Sequence, residues 1–156
     1  MKLHVVAVGT RMPAWVDAGF DEYARRMPRD ARLGLTEIKP EVRGAGRAMR
    51  GLLEAEEKRI LAAVPAGSLR VALDERGTLL TTIDLARRIE RWRTDGSDLA
   101  FLIGGPDGLA QTLKRGAAFI WSLTPLTLPH GLARVVLVEQ LYRAISILHN
   151  HPYHRE

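Results

Sequence analysis

The sequence predicts an α/β domain built on a mostly parallel sheet with flanking helices. Three observations carry that expectation. Short apolar runs alternate along the chain with longer segments of helical periodicity. Three of the runs, Leu3–Val8, Leu69–Leu73 and Leu99–Ile103, stop at Gly9, Asp74 and Gly104, as buried strands do when they open into a loop. And 156 residues, 46% of them hydrophobic, suffice for a single core. The whole chain, residues 1–156, is therefore expected to form one domain.

Leu3 to Val8 is the first strand. Pro13 sits where a helix can start, and Val16, Phe20, Tyr23, Ala24 and Met27 share one helical face before Pro28. Leu33 to Ile38 is a second strand, followed by an arginine-rich loop marked by Gly44 and Gly46. Met49, Leu52, Leu53, Glu56, Ile60 and Leu61 describe a second helix, ending near Pro65-Ala66-Gly67. Leu69 to Leu73 is the third strand, closed by Asp74. Thr81-Thr82-Ile83-Asp84 resembles a capping box and starts a helix running to about Trp92. Asp95-Gly96 ends it. Leu99 to Ile103 is the fourth strand. Leu109 to about Ala118 is expected to be helical, Phe119 to Leu123 to be a short strand, and His130 to about Leu148 one long apolar helix.

Composition narrows the class. With no cysteine, disulfides and thiolate metal sites are excluded, which suits a reducing compartment. The apolar run near the N-terminus is too short for a signal segment or a membrane span, so a cytoplasmic protein is expected, with no membrane partner. The formal charge is +5. Residues 25–50 are a concentrated source of it: Arg25, Arg26, Arg29, Arg32, Lys39, Arg43, Arg47 and Arg50 face only Asp30, Glu37 and Glu41. Such a segment is either a patch that attracts a polyanion or a solvated helix face with a loop.

Several segments can carry chemistry. Gly104-Gly105-Pro106-Asp107-Gly108 follows a strand directly, where open α/β sheets bind ligands. It matches neither a P-loop nor a dinucleotide fingerprint. It is a tight turn or a place where backbone approaches a ligand. Trp121 to His130 is apolar, with two prolines and two threonines. It either encloses something like an adenine and a thioether or packs under the last helix. Glu139 and Arg143 lie four apart on an otherwise apolar helix: a surface ion pair, or a partly buried pair serving a site. The tail crowds His149, His151, Tyr153, His154 and Arg155 together. Three histidines without a fixed acidic partner make a weak metal site, and no metal is expected.

Four segments together resemble the RlmH family of SPOUT-class methyltransferases. They are Leu73-Asp74 with Gly77; Leu102-Ile103-Gly104-Gly105-Pro106-Asp107-Gly108; Leu126-Thr127-Leu128-Pro129-His130; and Glu139-Gln140-Leu141-Tyr142-Arg143-Ala144 continuing to Asn150-His151-Pro152-Tyr153-His154. The likeness covers essentially the full chain. It implies methylation of N3 of a pseudouridine in 23S ribosomal RNA, with S-adenosyl-L-methionine as cofactor. It also implies a trefoil knot at about residues 99–154, although generic topology rules count knots as nearly absent. A homodimer whose site is completed across the interface is expected, acting on 23S rRNA within the assembled ribosome. Cofactor-binding positions map onto Leu73, Gly104, Leu123, Thr124, Pro125, Leu126, Thr127 and Leu128. The chain departs from the pattern at Thr78, where many relatives carry Lys.

Chemistry suggests roles for the remaining candidates. N3 is flanked by two carbonyls and holds a proton, so a base and an anion-stabilising group are needed. His154 is the expected base and Glu139 the alternative. Arg143 would hold a carbonyl or the developing anion, and Tyr153 would stack on the target base. The rivals are a SPOUT enzyme acting on another RNA, such as a transfer RNA, and a non-catalytic RNA-binding module.

Overall fold

The computed structural model describes residues 1–44 and 46–154. Arg155 of the expected tail cluster lies outside the described residues. The elements are β1 (Leu3–Val8), α1 (Ala14–Ala24), β2 (Leu33–Ile38), α2 (Met49–Ala63), β3 (Leu69–Leu79), α3 (Thr82–Thr94), β4 (Leu99–Ile103), α4 (Gln111–Arg115), β5 (Phe119–Ser122) and α5 (His130–Leu148). The strands form one sheet in the order β2-β1-β4-β3-β5, and every pair is parallel. The expected α/β class with flanking helices is the class observed.

Strand alternation divides the core into two layers. Leu3, Val5, Ala7, Val71, Leu99, Phe101 and Ile103 share one cluster with Phe20 of α1, Leu85 and Ile89 of α3, and Leu137, Val138 and Leu141 of α5. Val6, Val8, Ala72, Ala100 and Leu102 share the other with Ile60 of α2 and Leu113 of α4. The central strand β4 is buried along its whole length, which explains its uninterrupted apolar sequence.

The local signals hold with shifted boundaries. Thr81 caps α3: its Oγ accepts the Asp84 amide at 3.1 Å and donates to the Asp84 carboxylate at 2.7 Å. Gly96 stops the chain beyond that helix with φ +73°. The helix begun after Pro13 ends at Ala24, short of Met27. The expected helix from Leu109 to Ala118 shrinks to five residues, because Leu109 and Ala110 are buried as coil and Gly116 caps its end.

The third strand needs a larger correction. Expected to close at Asp74, it runs on to Leu79. Its register against β5 shifts between Leu73 and Thr78, so residues 74–77 bulge out and pairing resumes opposite Trp121 and Ser122. Gly77 makes the return possible: a Cβ there would lie 2.7 Å from the Trp121 carbonyl carbon and 2.8 Å from the Ile120 oxygen. No helix among the described residues is long and apolar enough to cross a membrane.

Candidate active site

A cavity of about 860 Å³ lies beyond the carboxyl ends of β3, β4 and β5. Leu73, Gly104, Leu123, Thr124, Leu126, Thr127 and Leu128 line it. These are the expected cofactor positions, with one exception: Pro125 is exposed and lies outside the wall. The bulge also contributes, through Asp74, Glu75 and Arg76, as do Lys114 of α4 and His130 of α5.

Each wall is shaped by local chemistry. The glycine loop closes on itself, Gly105 and Gly108 forming a bridge in which the Gly108 amide donates to the Gly105 carbonyl at 3.0 Å. A Cβ on Gly104 would sit 2.4 Å from the Gly108 carbonyl carbon. Gly104 is therefore required by its own loop, quite apart from the cavity it lines. In the apolar loop, Ser122 Oγ donates to the Thr124 carbonyl at 3.0 Å, and Thr124 Oγ accepts the Leu126 amide at 3.1 Å. The turn holds Leu126 outward, 72% exposed. Trp121 also lines the cavity, and its buried indole N–H has no partner among the described residues.

The electrostatics of the cavity were not legible in the sequence. Lys114 Nζ donates to Asp74 Oδ2 at 2.8 Å, and Asp74 Oδ1 accepts the Arg76 amide at 2.9 Å. Burial pushes the Asp74 pKa up, but the Lys114 hydrogen bond, the Arg76 amide and both cations outweigh it, leaving it below its ordinary value. Burial, and then the Arg134 charge, lower the His130 pKa, so the ring is neutral at pH 7. Arg134 itself is 1% exposed. It donates to Glu37 at 2.6 Å and to the Gly9 carbonyl at 2.7 Å, fastening α5 to the ends of β1 and β2. No local spacing could have announced these pairs, which join residues 40, 97 and 125 positions apart.

Glu139, Arg143 and Tyr153 come together elsewhere. Glu139 Oε1 accepts from Arg143 Nε at 2.9 Å, from Arg143 Nη2 at 2.6 Å and from the Tyr153 hydroxyl at 3.1 Å. Its Oε2 accepts from Gln140 at 2.7 Å. Burial, with Tyr23 and Glu139 adding to it, raises the Tyr153 pKa, so the phenol stays protonated and donates. Its ring contacts Tyr142, centroid to centroid 4.6 Å, and the Arg143 guanidinium lies 4.9 Å from its centroid. The tail thus docks on α5 as a short 3-10 turn, Pro152–His154, and His151 donates its amide to the Ser146 carbonyl. His154 Nδ1 is buried and has no partner among the described residues. His149 turns aside to Asp30, 3.3 Å away. Among the described residues no three potential ligands converge on a metal site.

None of Glu139, Arg143, Tyr153 and His154 lines the cavity. At a rise of about 1.5 Å per residue, Glu139 and Arg143 stand roughly 14 and 20 Å along α5 from His130. The basic segment is likewise rearranged by folding. Arg25 and Arg26 pair with Glu22, Arg47 with Glu41, and Arg50 with Glu54. Arg43 turns inward to buried Glu56 and to Asp107 of the glycine loop.

Comparison with known proteins agrees with this architecture. Residues 1–154 match the family model described as "Predicted SPOUT methyltransferase". The chain is 57% identical to the ribosomal RNA large subunit methyltransferase H of Bordetella avium and 55% identical to that of Burkholderia mallei, each over 99% of both chains. Among solved structures, a probable rRNA-methyltransferase from Porphyromonas gingivalis superposes with a TM-score of 0.57 at 13% identity, covering 94% of this chain and 69% of that one. A Legionella pneumophila methyltransferase solved with SAM bound gives 0.50 at 12% identity, covering 93% and 66%. At such identities the structures speak for the fold alone. The full-length match to the family model and the two near relatives decide the matter: the chain belongs to the SPOUT methyltransferase family, among the ribosomal RNA large subunit methyltransferase H proteins.

Proposed function

We propose that this protein methylates N3 of a pseudouridine in the 23S rRNA of the large ribosomal subunit, using S-adenosylmethionine and working as a cytoplasmic homodimer on the assembled ribosome. The observation that carries the reading is the cavity beyond β3, β4 and β5, walled by the two loops expected to hold the cofactor. The relatives' name supplies the RNA, and the Legionella protein supplies the precedent for the ligand.

The residues present fit such a cofactor. Leu123, Leu126 and Leu128 offer apolar faces to an adenine, and the wall also holds an unpartnered buried indole N–H. Neutral His130 adds no charge against a sulfonium. When bound, S-adenosylmethionine supplies an activated methyl group on a good leaving group. The protein must then take the N3 proton and steady the imide anion. Glu139 already accepts four hydrogen bonds, which leaves it poorly placed to accept a proton and well placed to orient Arg143 and Tyr153. His154, whose buried Nδ1 has no partner among the described residues, is the base. Arg143 holds the carbonyl that gains charge. Tyr153 would stack on the target base only after its contacts with Tyr142 and Arg143 loosen.

The separation along α5 motivates the dimer. One chain holds the expected cofactor loops at one end of the helix and the acid-base cluster towards the other, and a second copy would bring the two sets together. The trefoil knot at about residues 99–154 belongs to the same reading, through the family. The test is mass mapping of 23S rRNA from a strain lacking the protein. One methylated pseudouridine should disappear and return on complementation. A missing methyl in transfer RNA, with 23S rRNA unchanged, would overturn the substrate.

A further inference from the structure

The cavity wall has a charged side that the proposed function does not use. Asp74, Glu75, Arg76 and Lys114 all line it, and their formal charges cancel; the remaining carboxylate of the lining, Asp107, is paired with Arg43. Lys114 and Asp74 form the enclosed part of this group, with side chains only 18% and 14% exposed. Lys114 is held from below. Its neighbour Leu113 is buried in the core, and Thr112 donates to Glu57 of α2 at 2.6 Å, which pins α4. Asp74 is fixed by the Arg76 amide at 2.9 Å.

Lysine carries three N–H donors, and Asp74 engages one of them. The other two can serve an anion in the cavity. An RNA phosphodiester would meet Asp74 and Glu75 as well as Lys114. A zwitterion suits a charge-balanced wall better, because it brings its own cation beside its anion.

Resting on the reading of this cavity as the S-adenosylmethionine site, we propose that Lys114 binds the α-carboxylate of the cofactor's amino-acid tail, with Asp74 as the positioning residue that aims it. Two donors of the ammonium face the carboxylate while the third stays on Asp74 Oδ2. A charged hydrogen bond of this kind distinguishes the cofactor from any adenosine derivative lacking the carboxylate.

The test is a binding cycle by calorimetry on the full-length protein, with S-adenosylmethionine and its decarboxylated form as probes. The wild type should bind the decarboxylated compound about tenfold or more weakly. Lys114→Gln should weaken binding of S-adenosylmethionine to a similar extent and bind the two compounds about equally. Lys114→Arg, which keeps the charge, should restore part of the preference. Equal wild-type affinities overturn the proposal, and that arm needs no variant to fold. A Lys114→Gln protein that weakens both compounds alike overturns it too, since the ion pair would then only hold the wall. So does an Arg76→Gln variant that alone abolishes the preference. Failure of the wild type to bind either compound would overturn the cofactor reading itself, a different result from equal binding of both.

Discussion

At the scale of single residues, the site depends on atoms whose freedom is already spent. Gly104 is the sharpest case, because any side chain there meets the Gly108 backbone, which cannot yield as a flexible side chain can. Gly104→Ala is therefore expected to spread the glycine loop. It should cost about 1–3 kcal/mol of stability, as overpacking does, and remove measurable S-adenosylmethionine binding in calorimetry. Unchanged affinity would show that the loop is not part of the cofactor site. Asp74 makes a second prediction. Its folded pKa lies below its ordinary value, so its ion pair contributes stability above the unfolded pKa, and that contribution is lost as pH falls through the folded one. In chemical denaturation from pH 7 downwards, Asp74→Asn should be less stable than wild type at pH 7, the two curves converging in acid. Parallel curves would count against the pair.

The elements that matter most are the tail and the helix beneath it. Residues 151–154 are docked rather than frayed: Tyr153 bonds Glu139, and the His151 amide bonds the Ser146 carbonyl. Removing residues 152–156 should leave cofactor affinity nearly unchanged, because none of residues 152–154 lines the cavity. It should also lower the melting temperature modestly, since the contacts of Tyr142 and Tyr23 with Tyr153 are lost. Methyl transfer should fall about 10²–10⁴-fold, the usual worth of a general base. His154→Ala should reproduce most of that fall, with partial recovery at higher pH where N3 ionises unaided. Tyr153→Phe keeps the ring and loses the hydrogen bond to Glu139. A truncated protein that transfers methyl groups at the normal rate would move the chemistry to Glu139 and Arg143.

For the whole molecule, the separation along α5 makes an assembly prediction. If each site takes its cofactor loops from one chain and its tail from the other, two inactive variants can complement each other. Gly104→Ala fails at the cavity and His154→Ala at the tail. Unfolded together and refolded as a mixture, they should recover roughly a quarter of the wild-type rate, since random pairing gives half mixed dimers with one intact site each. Each variant refolded alone should stay inactive. A mixture that remains inactive, or a sedimenting monomer that still methylates RNA, would remove the shared site.

Much of the fold was legible because its signals are local. The apolar strand runs, the Thr81 cap, the Gly96 stop and the bounds of the long helix at His130 and Leu148 all follow from neighbours in sequence. The resemblance to a known family singled out two loops as the expected cofactor loops, and all but Pro125 of those positions line the cavity. Tertiary structure decided the rest. The third strand runs past Asp74 because β5, about 45 residues on, offers it a partner. The arginines of residues 25–50 are a charge excess on paper, yet the fold supplies Glu22, Glu41, Glu54, Glu56 and Asp107 to most of them. Which charges remain to meet RNA, and that Lys114 meets Asp74 inside the cavity, are set by distances between residues far apart in the chain. Sequence determined where the backbone turns and which side of each strand is apolar, since those depend on adjacent residues. The pairing of charges waits on chain segments being brought together, and only the folded molecule does that.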